Sequence, residues 1–185
     1  MLLIKQHQNQ LLDIARASIQ HGLTTGKPIS IKVTDYPEAL TALRASFVTL
    51  QKHQQLRGCI GMLEAIRPLV TDVAENAFAA AFNDPRFPAL RASELGELEI
   101  QISILSPAEP ITFHSEHDLL SQLKPGVDGL ILQEGHQRGT FLPSVWESLP
   151  EPEQFLRHLK HKAGLPFDYW SDSLRVYRYQ TDKIA

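Results

Sequence analysis

A single cysteine, Cys59, stands in this chain of 185 residues. One thiol excludes an internal disulfide framework and fits a reducing compartment. Long apolar runs are missing as well, and none approaches the ~20 residues that a bilayer-crossing helix needs. The run "LLI" after Met1 is too short for the apolar core of a secretory leader. Neither sign of charge dominates: 18 basic residues stand against 21 acidic ones, for a net charge of -3. A chain so balanced has no basic excess for a phosphate backbone, and basic and aromatic residues do not interleave as on a nucleic-acid platform. The sequence contains no HExxH, CxxC, GxGxxG, phosphate-binding P-loop or GxSxG elbow. These absences predict a soluble, cytoplasmic protein with no nucleic-acid or membrane partner, no metal and no cofactor.

Material for a core is present. Hydrophobic residues make up 43% of the chain, and at this size about 70% of the unfolded surface is buried on folding. No repeat, low-complexity tract or linker divides it, so residues 1–185 read as one domain, with room for a small lobe whose boundaries the sequence does not mark.

In "QLLDIARASIQHGL", Leu11, Ile14, Ala15, Ile19 and Leu23 recur at helical spacing, with Asn9 as a candidate cap and Gly26 and Pro28 as the stop. "KPISIKV" alternates like a short strand, and "DYPEALTAL" is ambiguous between a turn and a short helix. "ASFVTL" and "LRGCIGML", joined by the polar "QKHQQ", read as a hairpin. "RPLVTDVAENAFAAAF" gives the strongest helix, and "NDP" ends it. "ELEIQISIL" is the strongest strand, with Leu98, Ile100, Ile102 and Ile104 on one face. Beyond it follow a short helix at "SEHDLLSQL", two strands in "DGLILQEGHQRGTFLP", a helix at "EPEQFLRHLKHKAGLP" and a final strand at "SLRVYRYQ". The irregular order points to an α+β fold with a mainly antiparallel or mixed sheet flanked by helices.

"QLRGCIGMLE" carries the candidate chemistry. If residues 56–63 are extended, Arg57, Cys59 and Gly61 share one face, and the long arginine can reach a residue about 6.6 Å along the strand. A guanidinium beside a thiol favours thiolate, and Gly61 leaves a side-chain-free spot for a ligand or another backbone. The bland alternative is a buried thiol that behaves as a small hydrophobe, with glycines that mark a bulge.

"NDPRFP" presents Arg86 and Phe87 between two prolines. Arg86 either faces an anionic group or simply pairs with Asp84, the commoner arrangement. His114 with His117, and His158 with His161, are spaced three apart, but no third ligand stands at metal spacing, so surface histidines are expected. The run "RHLKHK" fits a solvated helix C-terminus.

The motifs "FVTL", "LRGCIG", "DPRFPAL", "ISILSP", "GLIL", "FLP" and "KAGLP" occur in the order of the AMMECR (AMME-syndrome candidate-region) domain. The chain resembles that family from about Ile14 to Tyr179; bacterial and archaeal members are called AmmeMemoRadiSam system protein A. The resemblance implies an α+β domain with a larger and a smaller lobe and a cleft lined by motif residues. It also implies work beside a Memo-type protein and a radical S-adenosylmethionine protein, with no catalytic activity attached. Motif positions fall on Arg57, Gly58, Cys59, Ile60, Gly61, Asp84, Pro85, Arg86, Phe87, Lys162 and Gly164. The loop "QKHQQ" lacks the glycine often found before "LRG".

Two functional readings follow. One is an accessory protein that binds those partners, or an unidentified small molecule, through Arg57, Gly58, Gly61, Asp84, Arg86, Phe87 and Lys162. The other is an enzyme with Cys59 as nucleophile and Arg57 steadying a thiolate or an anionic substrate, although the sequence offers no paired base.

Overall fold

The computed structural model describes residues 3–185 as two compact units. One comprises the chain up to Leu105 together with Asp182–Ala185, the other Ser106–Thr181. The fold is α+β with two four-stranded sheets, and the paired strands run antiparallel.

The first unit opens with helix α1 (Lys5–Thr25), which Gly26 ends with φ of 70°. The helix begins before Asn9, so that residue lies inside it and Ile4 takes the cap position. "KPISIKV" is not a strand. Pro28 lacks an N–H for a ladder, and the Ile29 N–H donates to Ser18 Oγ at 3.3 Å instead. Ile29 and Ile31 still pack on the core, so their alternation reports an apolar extended segment that passes into a short 3-10 turn at Val33–Asp35. The ambiguous stretch after it resolves into one helical turn, α2 (Glu38–Thr41).

Strands β1 (Ser46–Lys52) and β2 (Gln55–Gly61) form the expected hairpin. Its two turn residues, His53 and Gln54, take φ of 52° and 63°, a conformation that two-residue hairpins usually assign to Asn-Gly. Helix α3 (Leu69–Phe82) follows, with Leu69, Val70, Val73 and Ala77 fully buried against the sheet. Strand β3 (Leu98–Leu105) buries the four residues its alternation indicated.

The apolar pattern of α3 hides a polar network. Ser46 Oγ donates to Asp72 Oδ2 at 2.5 Å, and Asn76 Nδ2 donates to the Ser46 carbonyl at 3.0 Å. Arg67 Nε donates to Asp72 Oδ1 at 2.7 Å. Each partner is satisfied, so the network ties α3 to β1 without stranding a buried charge.

The second unit contains β4 (Glu109–Pro110), α4 (Glu116–Gln122), β5 (Gly129–Glu134), β6 (Gln137–Phe141), α5 (Pro152–Lys162) and β7 (Arg175–Tyr179). Ser115 caps α4 by accepting the Asp118 N–H at 3.1 Å. Trp146 stacks on Phe155, with ring centroids 3.7 Å apart, in the unit's own core. Tyr179 lies over Gly129, where any side chain would collide with its ring, and burial pushes its hydroxyl up to about 12. The basic run on α5 is not wholly solvated: Lys160 is fully buried, with Nζ 2.6 Å from Glu116 Oε1. Its position on the apolar side of α5 draws the ammonium inward, where a carboxylate meets it. The chain then makes β8 (Thr181–Ile184), which the sequence pattern did not indicate, and this strand extends the first unit's sheet to the order β2-β1-β3-β8.

Ala77 is fully buried on α3, so Ala77→Asp places an uncompensated carboxylate in the core. We expect the cooperative thermal transition, followed by circular dichroism, to disappear. A variant that melts like the wild type would mean that α3 presents another face.

Candidate functional site

The site grows from the open edge of the first sheet. Strand β2 is terminal in the order β2-β1-β3-β8, so one side of its backbone lacks a strand partner. Along the pairing with β1, Gly58 opposes Leu50 while Leu56 opposes Gln51, which leaves Arg57 as the extra residue of a β-bulge. Beyond the bulge, Gly58 and Ile60 turn toward α3, and Cys59 and Gly61 take the other face.

Cys59 sends its backbone away from β1. Its N–H donates to Asp84 Oδ2 at 3.0 Å, and its carbonyl accepts Arg86 Nη2 at 3.4 Å. A pair whose backbone bonds point outward brings its side chains closer, and Cys59 Sγ indeed lies 3.2 Å from Thr49 Oγ1 across the hairpin. The thiol is half-buried. Among the described residues, the Thr49 hydroxyl is the polar side-chain group bonded to the sulfur.

Asp84 and Arg86 pair, as the commoner reading had it. Arg86 Nε donates to Oδ1 at 3.0 Å and Nη2 to Oδ2 at 2.7 Å, and the Arg86 N–H adds a third bond at 3.0 Å. The pair is also more than a surface pair. The Asp84 side chain is 2% exposed and that of Arg86 is 55% exposed, so a buried carboxylate holds a half-exposed cation beside Cys59. The Arg86 side-chain bond is the main reason that the Asp84 carboxyl is held well below the usual carboxylate range.

Arg57 departs from the expectation that it reaches the thiol. The bulge breaks the alternation that would have set the two on one face, and the guanidinium turns to Glu94. Nε donates to Oε1 at 3.0 Å, Nη2 to Oε2 at 3.2 Å and to the Pro88 carbonyl at 2.9 Å. The Arg57 bond is also the main cause of Glu94's depressed carboxyl, near 2 against an ordinary 4.5. Phe87 stands near both cations, its ring centroid 5.5 Å from Arg86 Cζ and 6.0 Å from Arg57 Cζ.

The glycines do not leave the expected gap. A Cβ on Gly61 would overlap the Phe47 ring, and one on Gly58 would overlap the Ala80 carbonyl oxygen of α3. Both glycines serve close packing. Lys162 belongs to the second unit, where Nζ donates to the Thr140 carbonyl at 2.7 Å and lies 5.1 Å from the Phe141 ring centroid. His158 and His161 gather around Phe167, the latter stacked at 4.4 Å. Among the described residues, no three His, Cys, Asp or Glu converge on a metal-sized point. Glu94 escaped the sequence reading; its one signal is an acidic residue after "DPRFPALRAS" that balances an otherwise basic segment.

The sequence matches the model of the AMMECR1 family over residues 12–184. A protein of Methanothermobacter thermautotrophicus is 40% identical over 176 residues, spanning 92% of this chain and 89% of that one. A second, from Methanocaldococcus jannaschii, is 40% identical over 174 residues, spanning 90% and 83%. The crystal structure of an uncharacterized protein from Pyrococcus horikoshii is similar with a TM-score of 0.89 at 34% identity, over 98% of this chain and 92% of that one.

Two outcomes follow from this geometry. Gly58→Ala should destabilise the protein by about 1–3 kcal/mol through overpacking, whereas Gly96→Ala, with open space at its Cβ, serves as a neutral control; equal denaturant midpoints for the two would separate β2 from α3. The second concerns pH. A carboxyl lowered on folding stabilises the protein fully above its unfolded value and loses that contribution as pH falls through the folded one. For Glu94 the window runs from 4.5 down to about 2. Across it, the melting temperature of the wild type should fall more steeply than that of Glu94→Gln, and parallel slopes would mean that the Arg57 pair is not formed.

Proposed function

We propose that this chain, which belongs to the AMMECR1 family, works by binding rather than by turnover, as an accessory component that docks a Memo-type protein and a radical S-adenosylmethionine protein. The docking surface is the ground around Cys59, Arg86 and Phe87. What supports this reading most is the state of Arg86. Asp84 fixes the plane of the guanidinium through two bonds, while the side chain stays 55% exposed. A cation whose rotamers are already restricted loses little freedom when a partner carboxylate or aromatic ring meets it. Arginine with a neighbouring aromatic is also the composition in which binding energy concentrates at protein interfaces.

The cysteine-enzyme reading has less behind it. A nucleophilic thiol needs a base or an electropositive setting. Arg57, the group assigned to steady the thiolate, is committed to Glu94. Thr49 is a poor base, and its hydroxyl is what meets the sulfur.

Binding of the purified chain to each purified partner, measured by calorimetry, tests the proposal. The wild type should bind, Cys59→Ala should bind equally well, and Arg86→Ala should bind about tenfold or more weakly, or 1.4 kcal/mol. Arg86→Lys keeps a cation near Asp84 but loses the fork, so it should recover the fold fully and the binding only in part. Circular dichroism of each variant separates loss of binding from loss of folding. Absence of binding to both partners, or binding that depends on Cys59 and not on Arg86, would overturn the reading.

A further inference from the structure

We infer that residues 166–173, which join α5 to β7, form a strap over Lys160 that opens by itself and bares this amine while the rest of the second unit stays folded. The inference does not rest on the accessory reading and uses other residues.

The closed state holds a cation at a cost. Lys160 is fully buried, and its Nζ meets Glu116 Oε1 at 2.6 Å and the Trp170 ring, whose centroid is 5.6 Å away. Phe113 backs that ring from the other element, with centroids 5.6 Å apart. An ammonium has three donors, and among the described residues Glu116 is the one hydrogen-bond acceptor that Nζ meets. A buried cation whose donors are only partly answered is expensive to keep from water. Opening the strap hydrates it, which offsets part of what the strap's own contacts contribute.

Those contacts are mostly side chains. The Tyr169 N–H donates to the Pro166 carbonyl at 3.1 Å, the Leu174 N–H to the Ser171 carbonyl at 3.2 Å, and the Ser173 N–H to Ser171 Oγ at 3.1 Å. These bonds run within the segment or to its end, and among the described residues none ties its backbone to a helix or strand. Rings do the fastening instead. His161 stacks on Phe167 at 4.4 Å, His158 meets it edge-on at 5.4 Å, and Arg157 Cζ lies 5.6 Å from its centroid. Ser173 Oγ donates to Glu134 Oε1 at 2.6 Å, and Tyr169 and Trp170 rest half-buried on the core. A segment with so few backbone bonds opens at a lower free energy than the core beneath it.

Lysine acetylation of the full chain in increasing denaturant, resolved by residue with mass spectrometry, tests this. Lys27 is exposed, so its rate normalises for the reagent. Lys160 should react far more slowly than Lys27. Below the unfolding transition, its rate should rise with a denaturant slope that is a fraction of the slope for global unfolding. Phe167→Ala removes the ring that Arg157, His158 and His161 share, and should raise the Lys160 rate about tenfold while the circular dichroism melt stays cooperative. Ser173 is exposed, so Ser173→Ala keeps the fold and should raise the rate about threefold by releasing Glu134; it decides the matter if Phe167→Ala does not fold. A wild-type Lys160 rate with the global slope alone, a rate equal to that of Lys27, or a folded variant of either kind that matches wild type would each overturn the inference. Arg86→Ala should leave the Lys160 rate unchanged, so failure here and failure of partner docking are read separately.

Discussion

One buried carboxylate, Asp84, organises the ground around Cys59. A charge that is 2% exposed carries a desolvation cost of several kcal/mol unless donors surround it. Here four N–H groups do: those of the Cys59 and Arg86 backbones and two of the Arg86 guanidinium. The same bonds answer the problem of an open sheet edge. Strand β2 offers unpaired backbone groups that could template another strand, and the Asp84 and Arg86 side chains occupy those of Cys59 as a neighbouring strand would. Edge protection and the posing of a half-exposed cation at the Cys59 backbone are therefore one arrangement, and neither can be altered alone.

The glycines of "LRGCIG" belong to the same logic of close approach. Gly58 lets the strand lie against the Ala80 carbonyl of α3, and Gly61 makes room for Phe47. With β2 pressed on the helix, the loop leaving α3 at Asn83 starts within reach of the strand's edge. A bulkier residue at position 58 would lift β2 and carry the Cys59 N–H away from Asp84. The spot at Gly61 that reads as room for a ligand is filled by the Phe47 ring.

Much of the fold was legible because it follows from periodicity. The α3 rows, the alternation of β3 and the hairpin all appear where the pattern put them. The failures share a cause. "KPISIKV" alternates because Ile29 and Ile31 touch the core, yet no strand lies beside it to complete a ladder. Lys160 reads as solvated by composition, but its angular position on α5 places it inside, opposite Glu116. Strand β8 is four residues of mixed polarity whose only signal is the partner β3, and that partner is distant in sequence. In each case a tertiary neighbour decides, and local pattern does not contain it.

The site was half legible for a related reason. "DPRFP" announced the Asp84–Arg86 pair because two residues of opposite charge stood two apart on either side of Pro85. Arg57 was misplaced because a bulge inserts one residue into the count, and an inference of shared face drawn across the extra residue does not hold, whereas Cys59 and Gly61, both beyond it, keep theirs. The consequence is chemical as well as geometric. Had the strand been regular, Arg57 would have stood with Cys59 and Glu94 would have lacked its partner. With the bulge, the Cys59 carbonyl accepts Arg86, and Arg57 pairs separately with Glu94. A single irregularity in β2 thus divides the positive charge of this edge between two places, one bonded at the Cys59 backbone and one held by Glu94 with a buried donor unmet among the described residues.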